Sequence, residues 1–408
     1  MKSLIVDSLF APLGGGQKIA YETYKILQKM GHEVFYWAMD KKPYFEEDYT
    51  QIKFFTPYYL GVKDYLKNPI KYYFNYQALN DLQKFVDKIQ PQIIHFQSFW
   101  GLSSAIFKVR TNAKKILTVH DARCCPSTTL MFKNKQFCNE QYCKNRNFLP
   151  CIYNKCVNNS YEASLRRTIA TWIDVNNFKK INRFITPSNA LQNVMIDANI
   201  GITSDNIITV NNFLTEKELS ITPNYSSKGY FLYIGRLSKE KGVNYLLQAM
   251  SELPRDIKLH IVGTGPEEEN LKKYAEENKL HNIEFLGFKT GADIQDEYQN
   301  CIATILPCNW FEIFGMTNIE SFANGKPVIA SNIGGIPEIV EHNVNGLLFE
   351  PANVEQLREC ILKYWNNPEL VIEHGKNGYK KVLTHYTEDI YYEKLIKLYE
   401  ETINEYKK

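Results

Sequence analysis

Two glutamates separated by a glycine turn have the types and spacing that could do chemistry in this chain. Glu312 and Glu320 enclose seven residues, including Gly315, and the apolar stretch 301–307 before them is typical of a buried parallel strand. We expect Glu312 in the loop after that strand and Glu320 inside a helix over 315–323. Carboxylates accept hydrogen bonds from hydroxyl groups, and the amides of a helix's first turn are unpaired donors. The pair therefore suits a polyhydroxylated ligand such as a sugar or a ribose, the alternative being two solvated charges.

Three further loops lie at equivalent positions, each directly after a predicted strand. One carries Arg236 and Lys241, two cations suited to a diphosphate. Another is the Gly-Thr-Gly-Pro turn at 263–266, whose small residues let backbone amides approach phosphate oxygens. The last is the Gly-Gly-Ile-Pro-Glu turn at 334–338. Because ligands of open α/β sheets bind at the carboxyl ends of the strands, we expect all four loops to line one site.

The elements that must position these loops are strands and helices in regular alternation. Such alternation requires parallel sheets with helices on both faces, and 408 residues exceed what one hydrophobic core usually spans. The predicted fold class is therefore α/β, with two doubly wound Rossmann-like domains. The predicted divisions are a first domain at 1–212 with a Cys-rich insertion at about 124–160, a linker at 213–228, a second domain at 229–385 and a terminal helix at 386–408.

The order of the motifs resembles the carboxyl-terminal half of retaining glycosyltransferases with the GT-B fold, in family four. The motifs are Gly-Arg-x4-Lys-Gly, Gly-x-Gly-Pro, Glu-x7-Glu and Gly-Gly-x-Pro-Glu, and the resemblance is most specific over 230–349. It extends more loosely to the glycine loop at 14–16 and to the pair His120-Asp121. The resemblance implies two domains that face across a cleft and a terminal helix that crosses back to the first domain.

The resemblance also implies a role for each motif residue. A nucleotide-diphosphate sugar would bind mainly to the second domain, where Arg236 and Lys241 neutralise the departing diphosphate and no divalent metal or other cofactor is needed. Consistently, the chain contains no Asp-x-Asp motif, which metal-dependent glycosyltransferases of another fold use. Glu320 would accept from the ribose and Glu312 from the donor sugar. Retention would follow from a displacement on one face of the sugar, with the leaving diphosphate taking the acceptor's proton.

The remaining site residues follow from the same resemblance. His120 would reach the donor sugar, and Asp121 would orient His120 or bind the acceptor. The other expected donor-binding residues, through backbone or close approach, are Gly15, Gly16, Gly265, Phe314, Gly315, Met316 and Thr317. For His120 the alternative is a buried histidine that is simply satisfied by its neighbours.

Charge favours an anionic partner, although the formal net charge is only +3. Between residues 102 and 183 there are fifteen Lys and Arg against four Asp and Glu. Such a patch attracts an anionic or lipid-linked glycan acceptor, as in surface polysaccharide synthesis, or the surface of an anionic membrane; nucleic acid is not expected. With no signal peptide and no apolar stretch long enough to span a bilayer, we expect a cytoplasmic protein. We expect any peripheral contact at the inner face of the membrane to involve the aromatic run at 54–76. The alternative is that these side chains pack in the core and between helices.

Clustered cysteines mark the insertion. Cys138, Cys143, Cys151 and Cys156 form Cys-x4-Cys twice. Two alternatives stay open, a structural tetrathiolate zinc site and a local core packed with small thiols.

Three other functions are considered. A sugar-nucleotide epimerase of the same architecture and a non-catalytic sugar-nucleotide-binding subunit both remain alternatives. A nicotinamide oxidoreductase would require Gly-x-Gly-x-x-Gly after the first strand, a spacing that Gly14, Gly15 and Gly16 lack.

Overall fold

The structure is a computed structural model that describes residues 1–8, 15–38, 52–54, 69–99, 101–127, 132–133, 136–138 and 143–405. The chain forms two compact units. The first comprises Met1–Thr129, Asn139–Asn211 and Tyr391–Lys408, and the second comprises Leu130–Cys138 and Asn212–Ile390. Each unit is a parallel sheet with helices connecting its strands, so the predicted α/β class is confirmed.

The sheet of the first unit has seven parallel strands in the order β3-β2-β1-β4-β5-β8-β9. The strands are β1 (Lys2–Asp7), β2 (Glu33–Ala38), β3 (Ile52–Phe54), β4 (Ile93–Phe96), β5 (Lys114–Thr118), β8 (Arg183–Thr186) and β9 (Ile207–Thr209), and a separate hairpin contains β6 (Phe132–Lys133) and β7 (Gln136–Phe137). The order reverses between β1 and β4, which makes the sheet doubly wound and creates a switch point there.

The sheet of the second unit repeats this plan with six parallel strands in the order β12-β11-β10-β13-β14-β15. They are β10 (Tyr230–Ile234), β11 (Leu259–Val262), β12 (Ile283–Gly287), β13 (Cys301–Leu306), β14 (Val328–Ser331) and β15 (Gly346–Phe349). Its switch point lies between β10 and β13. The central strand β13 is buried at all six positions, as expected where helices cover both faces of a parallel sheet.

The α-helices alternate with these strands. They are α1 (Gly15–Lys29), α2 (Pro69–Tyr73), α3 (Tyr76–Ile89), α4 (Leu149–Tyr153), α5 (Tyr161–Asn177), α6 (Asn189–Asp197), α7 (Glu216–Leu219), α8 (Val243–Ser251), α9 (Glu268–Glu277), α10 (Gly291–Asn300), α11 (Met316–Ala323), α12 (Ile336–Ile339), α13 (Val354–Asn366), α14 (Pro368–His385) and α15 (Glu388–Asn404). Short 3-10 helices occupy Ser104–Lys108, Phe178–Lys180 and Lys239–Lys241. In this described part of the chain, none of the helices combines the length and apolarity needed to cross a bilayer.

Two element boundaries differ from the sequence expectation. The predicted linker at 213–228 belongs to the second unit, because Leu214 is fully buried in a core cluster with Phe314 and Tyr386. The terminal helix begins at Glu388 rather than at 386, since Thr387 pairs with Leu214 in a parallel bridge. Residues of this helix from Tyr391 onward belong to the first unit. The glycine at position 14 and most of the aromatic run at 54–76 lie outside the described residues.

Candidate functional site

An ion pair joins two of the predicted residues at the switch point of the second unit. The Nζ of Lys241 lies 2.7 Å from Oε2 of Glu312, and both side chains are largely buried. Lys241 follows β10 and Glu312 follows β13, so the strand order brings together residues that are 71 positions apart. Burial acts to lower the pKa of Lys241, but the adjacent Glu312 carboxylate outweighs it and the pKa is raised overall. Lys241 therefore keeps its positive charge at this position.

Two residues that the sequence analysis did not select support this pair. The indole ring of Trp310 lies 4.7 Å from the Nζ of Lys241, a cation–π contact. The backbone of Asn309 donates to the carbonyl of Glu240, which ties the loop after β13 to the loop after β10. A tryptophan two residues before Glu312 was a visible signal, but only the fold shows which cation it contacts.

The loop carrying Glu312 is held from its other side by the glycine turn after β14. The amide of Gly335 donates to the Glu312 carbonyl at 2.7 Å. A side chain on Gly334 would lie 2.1 Å from the same carbonyl oxygen. The Gly-Gly-Ile-Pro-Glu motif therefore positions the Glu312 backbone.

The helix after Glu312 presents free amides at its first turn. Gly315 adopts a left-handed conformation (φ 87°) and precedes α11, whose first turn has no side-chain cap. The amides of Met316 and Thr317 thus lack intrahelical partners, and both residues are half-buried. The ring of Phe314, by contrast, is buried and packs edge-on against Tyr386. Any ligand contact from Phe314 would come from its backbone.

Glu320 is oriented by a buried tyrosine. The hydroxyl of Tyr298, in α10, donates to Oε2 of Glu320 at 3.0 Å. Burial raises the pKa of Tyr298 well above its ordinary value, and the neighbouring Glu320 raises it further. Tyr298 is thus a permanent donor, and it was not anticipated from sequence because it lies 22 positions from Glu320.

The other two predicted residues of this unit have different surroundings. Gly265 packs against the preceding loop, because a side chain there would lie 2.2 Å from the carbonyl oxygen of Leu237. Its lack of a side chain therefore has a packing reason as well as the predicted ligand reason. Arg236 is exposed, and no ion pair involves it among the residues described. The structure brings Lys241 to Glu312 but leaves the guanidinium of Arg236 in solvent.

In the first unit, His120 lies at the end of a buried chain of polar side chains. Its Nε2 is 2.8 Å from Oε1 of Gln97, whose Nε2 is 3.3 Å from Nε2 of His95. His95 also contacts the hydroxyls of Thr118 and Tyr399, each at 2.6 Å. An amide oxygen only accepts, so His120 carries its proton on Nε2 and keeps Nδ1 as an acceptor.

Both histidines of this buried hydrogen-bonded row, His95 and His120, are neutral near pH 7. Burial lowers the pKa of His120 to about 4, with the cation of Arg123 adding to the effect. Burial lowers the pKa of His95 to about 3, and His120 contributes in the same direction. The first unit therefore offers a neutral imidazole where the second offers charges.

The glycines of the first unit and Asp121 complete the predicted set. A side chain on Gly16 would lie 3.2 Å from Cγ of His120, so Gly16 lets α1 approach the imidazole closely. Gly15 is exposed at the start of the same helix. Asp121 was expected to orient His120 or bind the acceptor, but its Oδ1 lies 2.6 Å from Nε of Arg123. Gln97, not Asp121, orients the histidine, because it follows the neighbouring strand β4.

Three cysteines of the insertion pack in one small cluster. Cys151 is buried with Val157 and Ala163, and Cys143 and Cys156 pack against this cluster. None of the nine cysteines forms a disulfide. Within the described ranges, no three His, Cys, Asp or Glu side chains are placed to hold a metal ion. Three of the cysteines therefore lie in one small cluster, and the zinc site and the thiol-packed core both stay predictions.

Comparison with known proteins agrees with this architecture. The model of glycosyltransferase family 4 matches residues 13–216, and that of group 1 glycosyl transferases matches 215–381. The chain is 34% identical over 155 residues to an uncharacterized glycosyltransferase of Methanocaldococcus jannaschii, covering 38% of this chain and 43% of that protein. It is 30% identical over 174 residues to the O-antigen chain mannosyltransferase C of Escherichia coli, covering 42% and 46%.

A solved structure extends the similarity to the whole fold. HepE of Anabaena, crystallised with UDP, superimposes with a TM-score of 0.72 at 18% identity, covering 98% of this chain and 99% of that one. The chain spans less than half the length of the curated relatives it matches. Fold and family are nevertheless established: the protein is a two-unit α/β protein with the GT-B fold, and it belongs to glycosyltransferase family 4.

Proposed function

We propose that the protein is a retaining glycosyltransferase that moves a sugar from a nucleotide-diphosphate sugar to an acceptor. The observation that carries the proposal is the Lys241–Glu312 pair at the switch point of the second unit, followed in the chain by the free amides that begin α11 and by Glu320 within that helix. A cation, unpaired amide donors and two carboxylates are the groups that an activated sugar requires at its phosphates and hydroxyls.

In this proposal, each group of the second unit has one task. Lys241 and Arg236 stabilise the negative charge that develops on the departing diphosphate, so turnover needs no divalent metal. Glu312 accepts from the hydroxyls of the donor sugar, and Glu320, held by Tyr298, accepts from the ribose. The amides at 315–317 and the turn at Gly265 contact the sugar and the phosphates.

The first unit supplies the acceptor side. His120 is neutral, so it serves as a hydrogen-bonding group for a sugar hydroxyl rather than as a charge. The same-face displacement, with the leaving phosphate accepting the acceptor's proton, is the mechanism that the family resemblance implies. The basic stretch between 102 and 183 favours an anionic or lipid-linked glycan acceptor. The O-antigen mannosyltransferase among the relatives supports a role in polysaccharide synthesis.

The test is a calorimetric binding screen of the full chain against UDP-, GDP-, dTDP- and ADP-sugars. We expect one nucleotide class to bind, with the sugar adding affinity over the bare nucleotide. Binding and subsequent transfer should be unchanged by EDTA, and the anomeric configuration of the product should match that of the donor by NMR. Absence of any sugar-nucleotide binding would refute the proposal, and conversion of the donor to an isomer without an acceptor would indicate an epimerase.

A further inference from the structure

A polar cavity of the first unit lies beside the His120 region and is not part of the proposed function. It has a volume of about 80 Å³ and its walls include Tyr72, Phe99, Arg123, Arg167 and Asp174. These residues come from α2, α5 and the loops after β4 and β5. Two guanidinium groups in one small cavity need partners, because burying a charge without a counter-ion is costly.

Arg167 is the residue whose bonding is incomplete. Its NH1 donates to the hydroxyl of Tyr72 at 3.0 Å. Its Nε is buried and has no hydrogen-bond partner. In the part of the chain that the structure describes, no carboxylate forms an ion pair with Arg167. A buried guanidinium with an unmatched N–H is a site that an oxyanion would complete.

The acid in the cavity does not supply that oxyanion. Asp174 is buried, and its hydrogen bond is to Ser104 rather than to an arginine. Burial raises the pKa of Asp174, although Ser104 and the nearby arginines act against this. Asp174 thus leaves the Nε of Arg167 without an acceptor.

Arg123 connects this cavity to the candidate site. Its guanidinium lies 4.4 Å from the ring centre of Phe99 and pairs with Asp121. The same two residues, Phe99 and Arg123, also line a smaller cavity of about 30 Å³ whose walls include His120 and Asp121. A group bound at Arg167 would thus lie one side chain away from the His120 region.

The size of the cavity suits a small ligand. Its volume is about 80 Å³, which accommodates a phosphate or carboxylate group.

We propose that Arg167 and Arg123 form an oxyanion subsite that holds a phosphate or carboxylate group of the acceptor beside His120 and Asp121. The assignment deepens the proposed function and rests on it. It makes the acceptor an anionic molecule whose charge is recognised directly, and Tyr72 adds a hydroxyl that can donate to the same oxyanion.

The test uses a matched pair of variants on one helix turn. Inorganic phosphate is titrated into the full chain and into Arg167→Met and Arg166→Met, and dissociation constants are measured by calorimetry. Both substitutions remove one positive charge, but Arg166 does not line the cavity. We expect phosphate to bind at least tenfold more weakly to Arg167→Met and within twofold of wild type to Arg166→Met. Phosphate that binds at the Lys241 loop contributes equally in both variants, so the difference between them reports on the cavity.

Equal losses in both variants, or no loss in Arg167→Met, would overturn the subsite. If Arg167→Met does not fold, Arg167→Lys replaces it: the charge is kept while the Nε donor is lost, and a severalfold loss is expected. Acetate and glucuronate are titrated in parallel, so that the preferred oxyanion is identified as carboxylate or phosphate. The nucleotide-sugar screen reports on the second unit, so failure there with intact phosphate binding would reject the proposed function and leave an oxyanion site.

Discussion

The two units have similar strand plans but carry different chemistry at the carboxyl ends of their strands. In the second unit, Lys241 and Glu312 form a charged pair between the loops after β10 and β13. In the first unit, Gln97 and His120 form a neutral hydrogen bond between the loops after β4 and β5. The hydrogen bond in the first unit is supported by the buried His95, which contacts Gln97 and the hydroxyl of Tyr399 in the terminal helix.

The difference separates the handling of charge from the handling of hydroxyl groups. A diphosphate that departs with extra negative charge needs a cation, and Lys241 is kept protonated by its partner. A neutral imidazole can exchange hydrogen bonds with a hydroxyl without adding charge. Both arrangements depend on residues that follow neighbouring strands of a parallel sheet, and the pair in the second unit also requires the reversal of strand order between β10 and β13.

The largest effect is expected where the charge of the second unit is removed. Lys241→Ala should slow sugar transfer by at least about a hundredfold, because one electrostatic stabiliser of a developing anion is typically worth that much. The measurement is turnover with the donor found in the screen. Lys239→Ala is the control, since Lys239 lies in the same loop, is exposed and only approaches Glu267 at 3.7 Å. Near-normal transfer by Lys241→Ala would remove the contrast between the two units.

A smaller effect on stability is expected from the neutral histidines of the first unit. Their folded pKa values, about 3 for His95 and about 4 for His120, lie below the ordinary 6.5. Between those values the unfolded chain binds more protons, so stability falls as the pH is lowered from 6.5. At pH 5 each histidine should cost about 2 kcal/mol of unfolding free energy.

Urea unfolding of wild type and His95→Gln at pH 7 and pH 5 measures this cost. The variant should lose about half of the acid sensitivity that the two histidines contribute. His281→Gln, at an exposed histidine, should behave as wild type in its pH dependence. An unchanged pH dependence in His95→Gln would show that the polar chain is not held neutral.

Next comes the orientation of Glu320 in the second unit. Tyr298→Phe removes the hydroxyl that holds the carboxylate, and a hydrogen bond to a charged group supports about a tenfold loss of nucleotide affinity. This loss of affinity should appear as a higher KM, with kcat nearly unchanged. With a 2′,3′-dideoxynucleotide the two proteins should bind equally, since no ribose hydroxyl remains. Tyr274→Phe, at a half-buried tyrosine of α9, is the control.

The smallest effect is expected from Gln97 in the first unit. Gln97→Ala should slow transfer about fivefold, because one neutral hydrogen bond is lost and the imidazole is less well oriented. Gln97→Glu should move the acid limb of the pH–rate profile to higher pH, since a carboxylate raises the pKa of His120. Gln92→Ala, at the opposite end of β4, should leave both quantities as in wild type. A pH profile that ignores Gln97→Glu would mean that His120 does not take part.

Much of the second unit was predictable because its signals are local. The alternation of apolar strands with helices predicts the α/β class, and the motifs at Lys241, Glu312 and Glu320 lie directly after strands, where a parallel sheet collects them at one edge. The start of α11 after Gly315 was correct to one residue, because glycine and the apolar spacing mark it.

The partners of those residues were decided by tertiary structure alone. Tyr298 reaches Glu320, Gln97 reaches His120, and Trp310 lies under Lys241 only after strands and helices far apart in the chain are packed together. Asp121 follows His120 in sequence, yet adjacent residues at a strand end point in different directions, so it pairs with Arg123 instead. Residue type and spacing thus identify which groups can act, whereas the order of strands determines which groups meet.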